Sequence, residues 1–242
     1  MVHIVTPGIF KRLWRRGLVI AWLWFLATVC GVAFRGVVNP TTTAFMQERH
    51  LDLLSKHQPA DIDYHWTAYA DIAPDMRLAV VTAEDQTFPT HHGFDWGAMG
   101  EALEHNAVHH KVRGGSTISQ QTAKNLWLWS GRSYGRKLVE AWFTVLIEAE
   151  WPKRRILELY LNVAQLDDAT FGVGAAARNL FGVTPDRLSL EQAALLAASL
   201  PAPDVYDVND PSAHLQRRED WILDQMEWLG GPDYLSDVDA GR

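Results

Sequence analysis

The chain has 242 residues, of which 48% are hydrophobic and 21% charged, and its formal net charge at pH 7 is −7. This length suits one good-sized domain with an accessory segment, and the composition excludes a disordered chain. Cys30 is the single cysteine, so the sequence excludes both an intramolecular disulfide and a cysteine-based metal cage.

An uncharged stretch near the amino terminus predicts a membrane anchor. Residues 17–34 carry no charge, and a helix that crosses the hydrocarbon core needs roughly 17–25 such residues. Four cations and no acid lie just before it: Lys11, Arg12, Arg15 and Arg16. The positive-inside rule therefore predicts a cytoplasmic basic segment at 1–16 and an extracytoplasmic remainder. A signal peptide cleaved near 31–33 is the alternative, but the long apolar run with Trp22 and Trp24 favours an uncleaved single-pass anchor.

Helical patterns dominate the rest of the chain and predict a mainly α-helical fold. Residues 35–73 are predicted to be a connecting segment with one short helix capped at 41–43. The main domain is predicted over 74–229, where one helix ends near Glu150, the next has Pro152 in its first turn, and Ser189 with Gln192 forms a capping box. Residues 230–242 are expected to be a frayed tail. Neither strand alternation nor an internal repeat is visible in the sequence.

The run from residue 84 to residue 95 concentrates acid–base side chains. Within these twelve residues lie three carboxylates and two imidazoles: Glu84, Asp85, His91, His92 and Asp95. A carboxylate at the edge of an apolar segment can be tuned towards neutral pH and act as a general base. From these residues alone, any of the five could act.

A second polar run occupies residues 114–121, and Lys124 and Asn125 follow it. Its hydroxyls and amides suit a carbohydrate or a phosphate, although a capped helix start would also account for them. Further on, Arg136 and Glu140 share one face of a predicted helix, and Lys137 lies three residues from Glu140. Taken alone, this set could form surface ion pairs. However, nine Lys/Arg accompany five Asp/Glu between residues 101 and 155, which favours a local anionic ligand over general nucleic-acid binding.

Taken together, a candidate base, clustered cations, a polar loop and an anchor suit a lipid-linked phosphosugar as substrate. A diphosphate leaving group is a weak base, so it needs charge stabilisation more than a proton donor. One carboxylate then suffices as the base, and a second can position the substrate. Ser116 is not expected to be a nucleophile, because no G-x-S-x-G pattern surrounds it.

Four sequence blocks in order carry a family resemblance. They are Glu84-Asp85 through Phe88, His91, Gly93 and Asp95; Gly114 to Gln121 with Lys124-Asn125; Arg136-Lys137-x-x-Glu140-Ala141; and Lys153 with Ile156-Leu157-Glu158-x-Tyr160-Leu161-Asn162, then Phe171-Gly172 and 175–177. With these blocks the chain resembles the monofunctional biosynthetic peptidoglycan transglycosylases. The glycosyltransferase domain of that family also opens the bifunctional penicillin-binding proteins. The resemblance covers roughly residues 76–200.

This resemblance implies a lysozyme-like helical head with a smaller membrane-proximal jaw. It also implies polymerisation of lipid II into glycan strands, with inversion and with undecaprenyl diphosphate as leaving group. Glu84 would be the base on the acceptor 4-hydroxyl, and Glu140 the second essential carboxylate. The residues implied to bind substrate are Ser116, Thr117, Gln120, Gln121, Lys124, Asn125, Arg132, Arg136 and Lys137. Those implied to support the site are Asp85, Phe88, His91, Gly93, Asp95, Gly114, Gly115, Glu158 and Asn162. His92 is expected at the surface.

Two departures from the family pattern stand out. Ser119 stands where threonine is usual and keeps the hydroxyl, whereas residues 165–169 replace a segment that usually carries Glu, Trp and Gly. Between two of the blocks, Trp127 and Trp129 are expected in the jaw, where they would dip into lipid.

The expected binding partners are lipid II, the growing glycan strand and the membrane, with no nucleic acid. Proteins of cell-wall synthesis or division are candidate partners, none of them identified. The expected location is the bacterial inner membrane, with a periplasmic catalytic domain. No cofactor is expected to be required. A divalent cation, Mg²⁺ or Mn²⁺, is an option at the diphosphate, but the sequence declares no metal-ligand cluster. A lysozyme-like lytic enzyme and a non-catalytic membrane-tethered glycan-binding scaffold remain the alternatives.

Overall fold

The structure is a computed structural model that describes residues 7–108, 114–131 and 133–241. It divides into two units between Val38 and Asn39. The first consists of helix α1, Pro7–Val37. From Lys11 to Val37 this helix is long and apolar enough to cross a membrane by length and composition. It therefore contains the predicted anchor, 17–34, and extends it at both ends, because flanking cations do not interrupt a helix.

The second unit is built from ten further helices in the described residues, joined by short loops. They are α2 Ala44–Ser55, α3 Pro74–Glu84, α4 Trp96–Val108, α5 Ile118–Trp127, α6 Tyr134–Glu150, α7 Lys153–Val163, α8 Gly172–Phe181, α9 Leu190–Ser199, α10 Ala213–Trp228 and α11 Ser236–Asp239. Single 3₁₀ turns cover Tyr69–Asp71, Pro185–Arg187 and Gly231–Leu235. The prediction of a mainly α-helical fold is confirmed.

Two short parallel strands were not predicted from the sequence. Strand β1, Asp63–Tyr64, pairs with β2, Thr170–Phe171, so that Asp63 lies opposite Thr170 and Tyr64 opposite Phe171. Two residues are too few to show the alternation by which a strand is recognised. The pair nevertheless joins the segment before α3 to the segment before α8.

Helix α3 lies at the centre of the core. It packs against α9 and α10, and also contacts α7. Met76 and every residue from Leu78 to Thr82 are buried. The alanine-rich face of α9 permits a close approach, since Ala193, Ala194 and Ala197 are fully buried. Glu84 is the last residue of α3, so its carboxylate emerges directly from this apolar core.

Polar caps fix where several helices begin. The Thr43 side chain accepts the Met46 N–H at the start of α2, as the sequence predicts. Ser189 and Gln192 form the predicted capping box of α9. Pro152 is the N-cap of α7 rather than a residue of its first turn, a difference of one position.

The two flanks of the predicted main domain are more ordered than expected. In the segment predicted as a connector, α2 packs on α5, and Glu48 accepts hydrogen bonds from the Ser130 N–H and hydroxyl, each 2.7 Å long. The expectation of a frayed carboxyl-terminal tail is wrong, because Leu235 and Val238 are buried and Asp239 accepts a 2.6 Å bond from the Tyr69 hydroxyl. The predicted domain limits themselves, 35–73, 74–229 and 230–242, stay predictions.

Candidate active site

Glu84 combines deep burial with a route to solvent. Its side chain keeps 15% of its surface exposed. The Gln121 Nε2 donates a 2.8 Å hydrogen bond to Oε2, and the Arg218 guanidinium lies 3.6 Å from Oε1. Burial raises the pKa of Glu84 above its ordinary value, while the Gln121 bond and the Arg218 charge oppose that rise. Such a carboxylate accepts a proton more readily than an exposed one and is still reachable by a substrate.

Asp85, its neighbour, is committed to the fold. Its Oδ2 accepts the Ile118 N–H at 2.9 Å and lies 2.8 Å from His91 Nε2. His91 Nδ1 in turn accepts the Gly93 N–H at 3.0 Å, so the ring proton is on Nε2 and is donated to Asp85. Asp85 thereby joins the end of α3 to the start of α5. Its side chain is almost fully buried, which leaves no room for a role as base.

The loop after Asp85 is held by its own polar groups. Asp95 accepts the Thr87 hydroxyl at 2.6 Å and the Ala98 N–H at 2.8 Å, and so caps α4. Gly93 has a φ of 88°, and a Cβ there would lie 2.9 Å from Thr144 Cγ2, so only glycine fits. Phe88 is fully buried, and His92 is exposed as expected.

The polar run before α5 divides into supporting and exposed residues. Thr117 and Gln120 form a capping box, and both are 2% exposed. Their polar atoms bond within the helix start and, for the Thr117 hydroxyl, to the Gly93 carbonyl at 2.7 Å, and the expectation that they contact substrate stays a prediction. Asn125 is also buried, and its Oδ1 has no hydrogen-bond partner in the described part of the chain. Ser116, by contrast, is exposed and accepts a 3.1 Å bond from Lys137 Nζ.

The glycines of this run differ in surroundings. Gly114 is exposed, with nothing near the position of an added Cβ. Gly115 lies against α4, where a Cβ would approach Ala102 Cβ to 3.2 Å. Gly115 therefore allows the polar run to pass close to α4.

Glu140 is the centre of a buried charge cluster. It is 2% exposed, its Oε2 lies 2.6 Å from Arg136 Nη1, and its Oε1 is in close contact with Lys137 Nζ. Arg136 also donates from Nε to the Gly131 carbonyl. The carboxylate contacts both cations and so fixes their positions. Glu140 is thus suited to orienting cations.

Lys124 connects the two carboxylates electrostatically. Burial lowers its pKa, and the charges of Glu140 and Glu84 oppose that shift, while Arg136 and Lys137 add to it. Its Nζ lies 5.3 Å from the centre of the Phe45 ring on α2. Lys124 therefore interacts electrostatically with all four of the other charged groups, Glu84, Arg136, Lys137 and Glu140.

Glu158 and Asn162 lie on α7 and hold the chain before α3. Glu158 accepts the Tyr69 N–H at 2.9 Å and pairs with Arg155 at 2.6 Å. Asn162 is fully buried and makes two bonds to the backbone of Thr67, of 2.7 and 2.9 Å. Both are placed as supports of the fold. Arg132, in contrast, lies outside the described residues.

Three residues near Glu84 or Lys124 were not found from the sequence. Arg218 comes from α10 and Phe45 from α2, both remote in the chain from their partners, so no local pattern could reveal them. Tyr160 lies inside a family block, but its hydroxyl contact with Gln121, 3.3 Å long, depends on how α5 and α7 pack. Arg218 and Phe45 were missed because they are far along the chain from their partners. Tyr160 was missed because its contact depends on helix packing.

The atypical segment 165–169 binds α2. Arg49 donates from Nε to the Asp168 carbonyl at 2.9 Å and also contacts the Asp168 carboxylate. The Asp63 N–H donates to the Ala169 carbonyl at 2.9 Å. This segment therefore fixes the helix that carries Phe45.

No group of three or more His, Cys, Asp or Glu side chains that could hold a metal ion lies within residues 7–108, 114–131 and 133–241. The cationic side chains around Glu140 are the groups placed to meet an anion.

Comparisons with known proteins show the family to which this chain belongs. A family model described as Transglycosylase matches residues 52–227. Among similar proteins named biosynthetic peptidoglycan transglycosylase, that of Pseudomonas fluorescens strain SBW25 is 46% identical over 234 residues, which cover 97% of this chain and 96% of the relative. That of Pseudomonas entomophila strain L48 is 48% identical, covering 94% and 97%. That of Pseudomonas putida strain GB-1 is 47% identical, covering 98% and 99%.

Proposed function

The chain belongs to the peptidoglycan transglycosylase family and is a glycosyltransferase, and from that premise we propose that it polymerises lipid II with Glu84 as general base. The observation that carries this proposal is the desolvated, partly accessible carboxylate of Glu84 within the electrostatic field of clustered cations. The acceptor is the sugar 4-hydroxyl, and the leaving group is undecaprenyl diphosphate.

The proposed step is a single displacement with inversion. The acceptor oxygen forms a bond to the donor anomeric carbon while the bond from that carbon to the diphosphate oxygen breaks. The hydroxyl proton goes to Glu84, and the electron pair leaves on the diphosphate. In an inverting transfer, the base acts on the face of the sugar opposite the leaving group.

Lys124, Arg136 and Lys137 are the proposed diphosphate-binding groups. Their charges can stabilise the leaving group without a proton donor. Glu140 holds Arg136 and Lys137 in place and is proposed to act on the donor side through them. Arg132 is proposed for the same set on the family resemblance.

The surroundings of the two carboxylates support the roles proposed for them. Glu140 holds two cations in position, whereas burial raises the pKa of Glu84 and no cation lies closer to it than 3.6 Å in the described residues. Asp85 has its carboxylate occupied by Ile118 and His91. Glu84 is therefore the group best suited to accept the proton.

The helix α1 supports a membrane location for the reaction. We propose that it anchors the chain in the bacterial inner membrane, with the cations before residue 17 on the cytoplasmic side and the second unit in the periplasm. A lipid-linked substrate and the growing strand would then be met at the membrane surface. We also propose that no metal is required, since three cationic side chains are available for the diphosphate.

The test is polymerisation of purified lipid II by the full chain, with Glu84→Gln beside it. We expect glycan strands from the unsubstituted chain, with or without EDTA, and a loss of roughly 100-fold or more in Glu84→Gln. Glu227→Gln, an exposed carboxylate on α10, is the matched control and should retain activity. The readout is gel separation of labelled glycan.

Each alternative has its own outcome in this assay. Strands formed equally well by Glu84→Gln would reject Glu84 as base, and a rate abolished by EDTA would reject the metal-free step. Cleavage of purified sacculi without polymer would favour a lytic enzyme. Glycan binding with neither reaction would favour a scaffold.

A further inference from the structure

The Gln121 side chain forms a bridge between Glu84 and a buried tyrosine. Its Nε2 donates to Glu84 Oε2 over 2.8 Å, and its Oε1 accepts the Tyr160 hydroxyl over 3.3 Å. Gln121 is on α5, Glu84 ends α3, and Tyr160 is on α7. Three helices therefore meet at one amide.

An amide has two unlike ends, and their direction matters to a neighbouring carboxyl group. An N–H aimed at Glu84 stabilises the carboxylate, whereas a carbonyl aimed at it stabilises the protonated acid. Rotating the Gln121 amide by about 180° replaces the N–H that faces Glu84 with the carbonyl oxygen. Whatever fixes the direction of this amide also biases whether Glu84 can act as a base.

Tyr160 is suited to fix that direction. Its side chain is 2% exposed, and burial, with the charges of Glu84 and Asp85, raises the pKa of its hydroxyl well above the ordinary range. The hydroxyl therefore stays protonated and has a hydrogen to donate. Rotating the amide would remove the carbonyl oxygen that accepts the hydrogen bond from the Tyr160 hydroxyl. A buried donor without an acceptor costs free energy.

We propose that Tyr160 is a positioning residue, which orients the Gln121 amide so that its N–H faces Glu84 and keeps Glu84 in the carboxylate form. The proposal rests on the proposed role of Glu84 as general base. Tyr160 itself touches Gln121 and acts on Glu84 only through it.

Other charged groups around Glu84 do not replace this effect. Arg218 on α10 and Lys124 on α5 favour the carboxylate, while Asp85 on the loop after α3 disfavours it. On the 3₁₀ turn Gly231–Leu235, burial and then the charge of Asp85 raise the pKa of the Tyr234 hydroxyl, so Tyr234 stays neutral. Arg218, Lys124 and Asp85 act through their charges, which do not depend on the direction of the Gln121 amide. Removing the Tyr160 hydroxyl should therefore leave them in place.

The experiment measures kcat/KM for lipid II against pH in the full chain, in detergent, for Tyr160→Phe. We expect the acid limb to move to higher pH by roughly 0.5–1 unit, the shift that corresponds to the loss of one neutral hydrogen bond. The rate on the alkaline side should change much less. Tyr64→Phe removes a tyrosine hydroxyl that bonds to the Pro40 carbonyl and should leave the acid limb in place.

A double-substitution cycle tests whether the effect passes through the amide. Gln121→Ala should itself move the acid limb upward, and adding Tyr160→Phe to it should produce no further shift. A shift that persists in the Gln121→Ala background would overturn the proposal. So would a Tyr160→Phe protein whose activity falls by the same factor at every pH, since that is the mark of a purely structural role.

A second measurement uses the unsubstituted chain and needs no altered protein to fold. In ¹⁵N NMR, the Gln121 amide protons should shift as Glu84 titrates, because they face its carboxylate; amide protons that do not respond would contradict the assignment. A failure of the proposed function would give a different result from a failure of the Tyr160 proposal. If Glu84→Gln stays active, the base is wrong, whereas an inactive Glu84→Gln with an unshifted Tyr160→Phe profile rejects Tyr160 alone.

Discussion

At the scale of single residues, the site separates two carboxylates by their neighbours. Glu140 is almost fully buried and contacts both Arg136 and Lys137. Glu84 is also largely buried, but its nearest contacts are an amide and a more distant guanidinium. These different surroundings support the proposal that Glu140 positions cations and that Glu84 accepts the proton.

The raised pKa of Glu84 predicts that the ionised base destabilises the fold. The folded chain binds this proton more tightly than the unfolded chain, so ionised Glu84 lowers stability at neutral pH. That effect should disappear as the pH falls below the ordinary value of 4.5. We expect Glu84→Gln to melt at a higher temperature than the unsubstituted chain at pH 7, with no gain at low pH. Thermal unfolding followed by circular dichroism at both pH values checks this, and a variant that melts lower at pH 7 would contradict it.

At the scale of elements, α6 presents two different faces. Glu140, Phe143 and Ile147 are buried on one side. The other carries an exposed stripe of Tyr134, Leu138 and Val145, which lie on one face at helical spacing. Such a stripe is well suited to contact lipid. It extends the membrane hypothesis made for Trp127 and Trp129.

The two tryptophans of that hypothesis are not equivalent. Trp127 stacks on Phe143 with ring centres 4.6 Å apart, so replacing it would damage the core. Trp129 is 53% exposed and remains a candidate for lipid contact. Trp129 and the α6 stripe, rather than the tryptophan pair, are therefore the groups whose contact with lipid we test.

We expect Trp129→Ser with Leu138→Ser to weaken liposome binding of residues 39–242 by roughly tenfold or more, since each apolar side chain buried in lipid contributes on the order of 1–2 kcal/mol. Co-sedimentation with anionic vesicles measures the binding. Leu190→Ser, at an exposed leucine of α9, is the control and should bind like the unsubstituted domain. If the doubly substituted domain binds vesicles as well as the unsubstituted domain, this face does not contact lipid.

At the scale of the whole molecule, both flanks of the predicted domain complete the site. On one side, α2 supplies Phe45 beneath Lys124 and is tied to the segment 165–169. On the other, the residues after α10 return to α3, where the Tyr234 hydroxyl donates to the Gln86 carbonyl over 2.7 Å. Asp239 also lies 2.9 Å from Arg77. The segments on both flanks of the predicted domain thus contact residues of the candidate site or their neighbours.

Removing residues 231–242 should therefore destabilise the protein. Burial of Leu235 and Val238 alone is worth roughly 3–6 kcal/mol, and the contacts of Asp239 would be lost with them. We expect a lower urea midpoint and reduced transferase activity. Removing only 241–242 is the control and should change neither. A truncated protein as stable as the full chain would show that the tail contributes nothing.

Local sequence patterns determined the elements and the inventory of chemical groups. The anchor follows from an uncharged run, the helix starts from caps such as Thr43 and Ser189, and the pairing of Arg136 with Glu140 from their spacing of four residues. The family resemblance then selected Glu84 from several acidic residues. All of these signals lie within a few residues or within one sequence block, which is why they can be recognised without a fold.

Only the tertiary structure decided which polar groups are buried and which are exposed. Thr117 and Gln120, predicted to bind substrate, are buried in the capping box of α5, and the tail that was expected to fray packs against α3. Arg218, Tyr160 and Phe45 reach Glu84, Gln121 and Lys124 from α10, α7 and α2. The sequence by itself determined that the chain has a segment apolar enough to cross a membrane, a helical domain and a candidate base. The surroundings of that base depend on contacts between segments far apart in the chain, and local periodicity carries no information about such contacts.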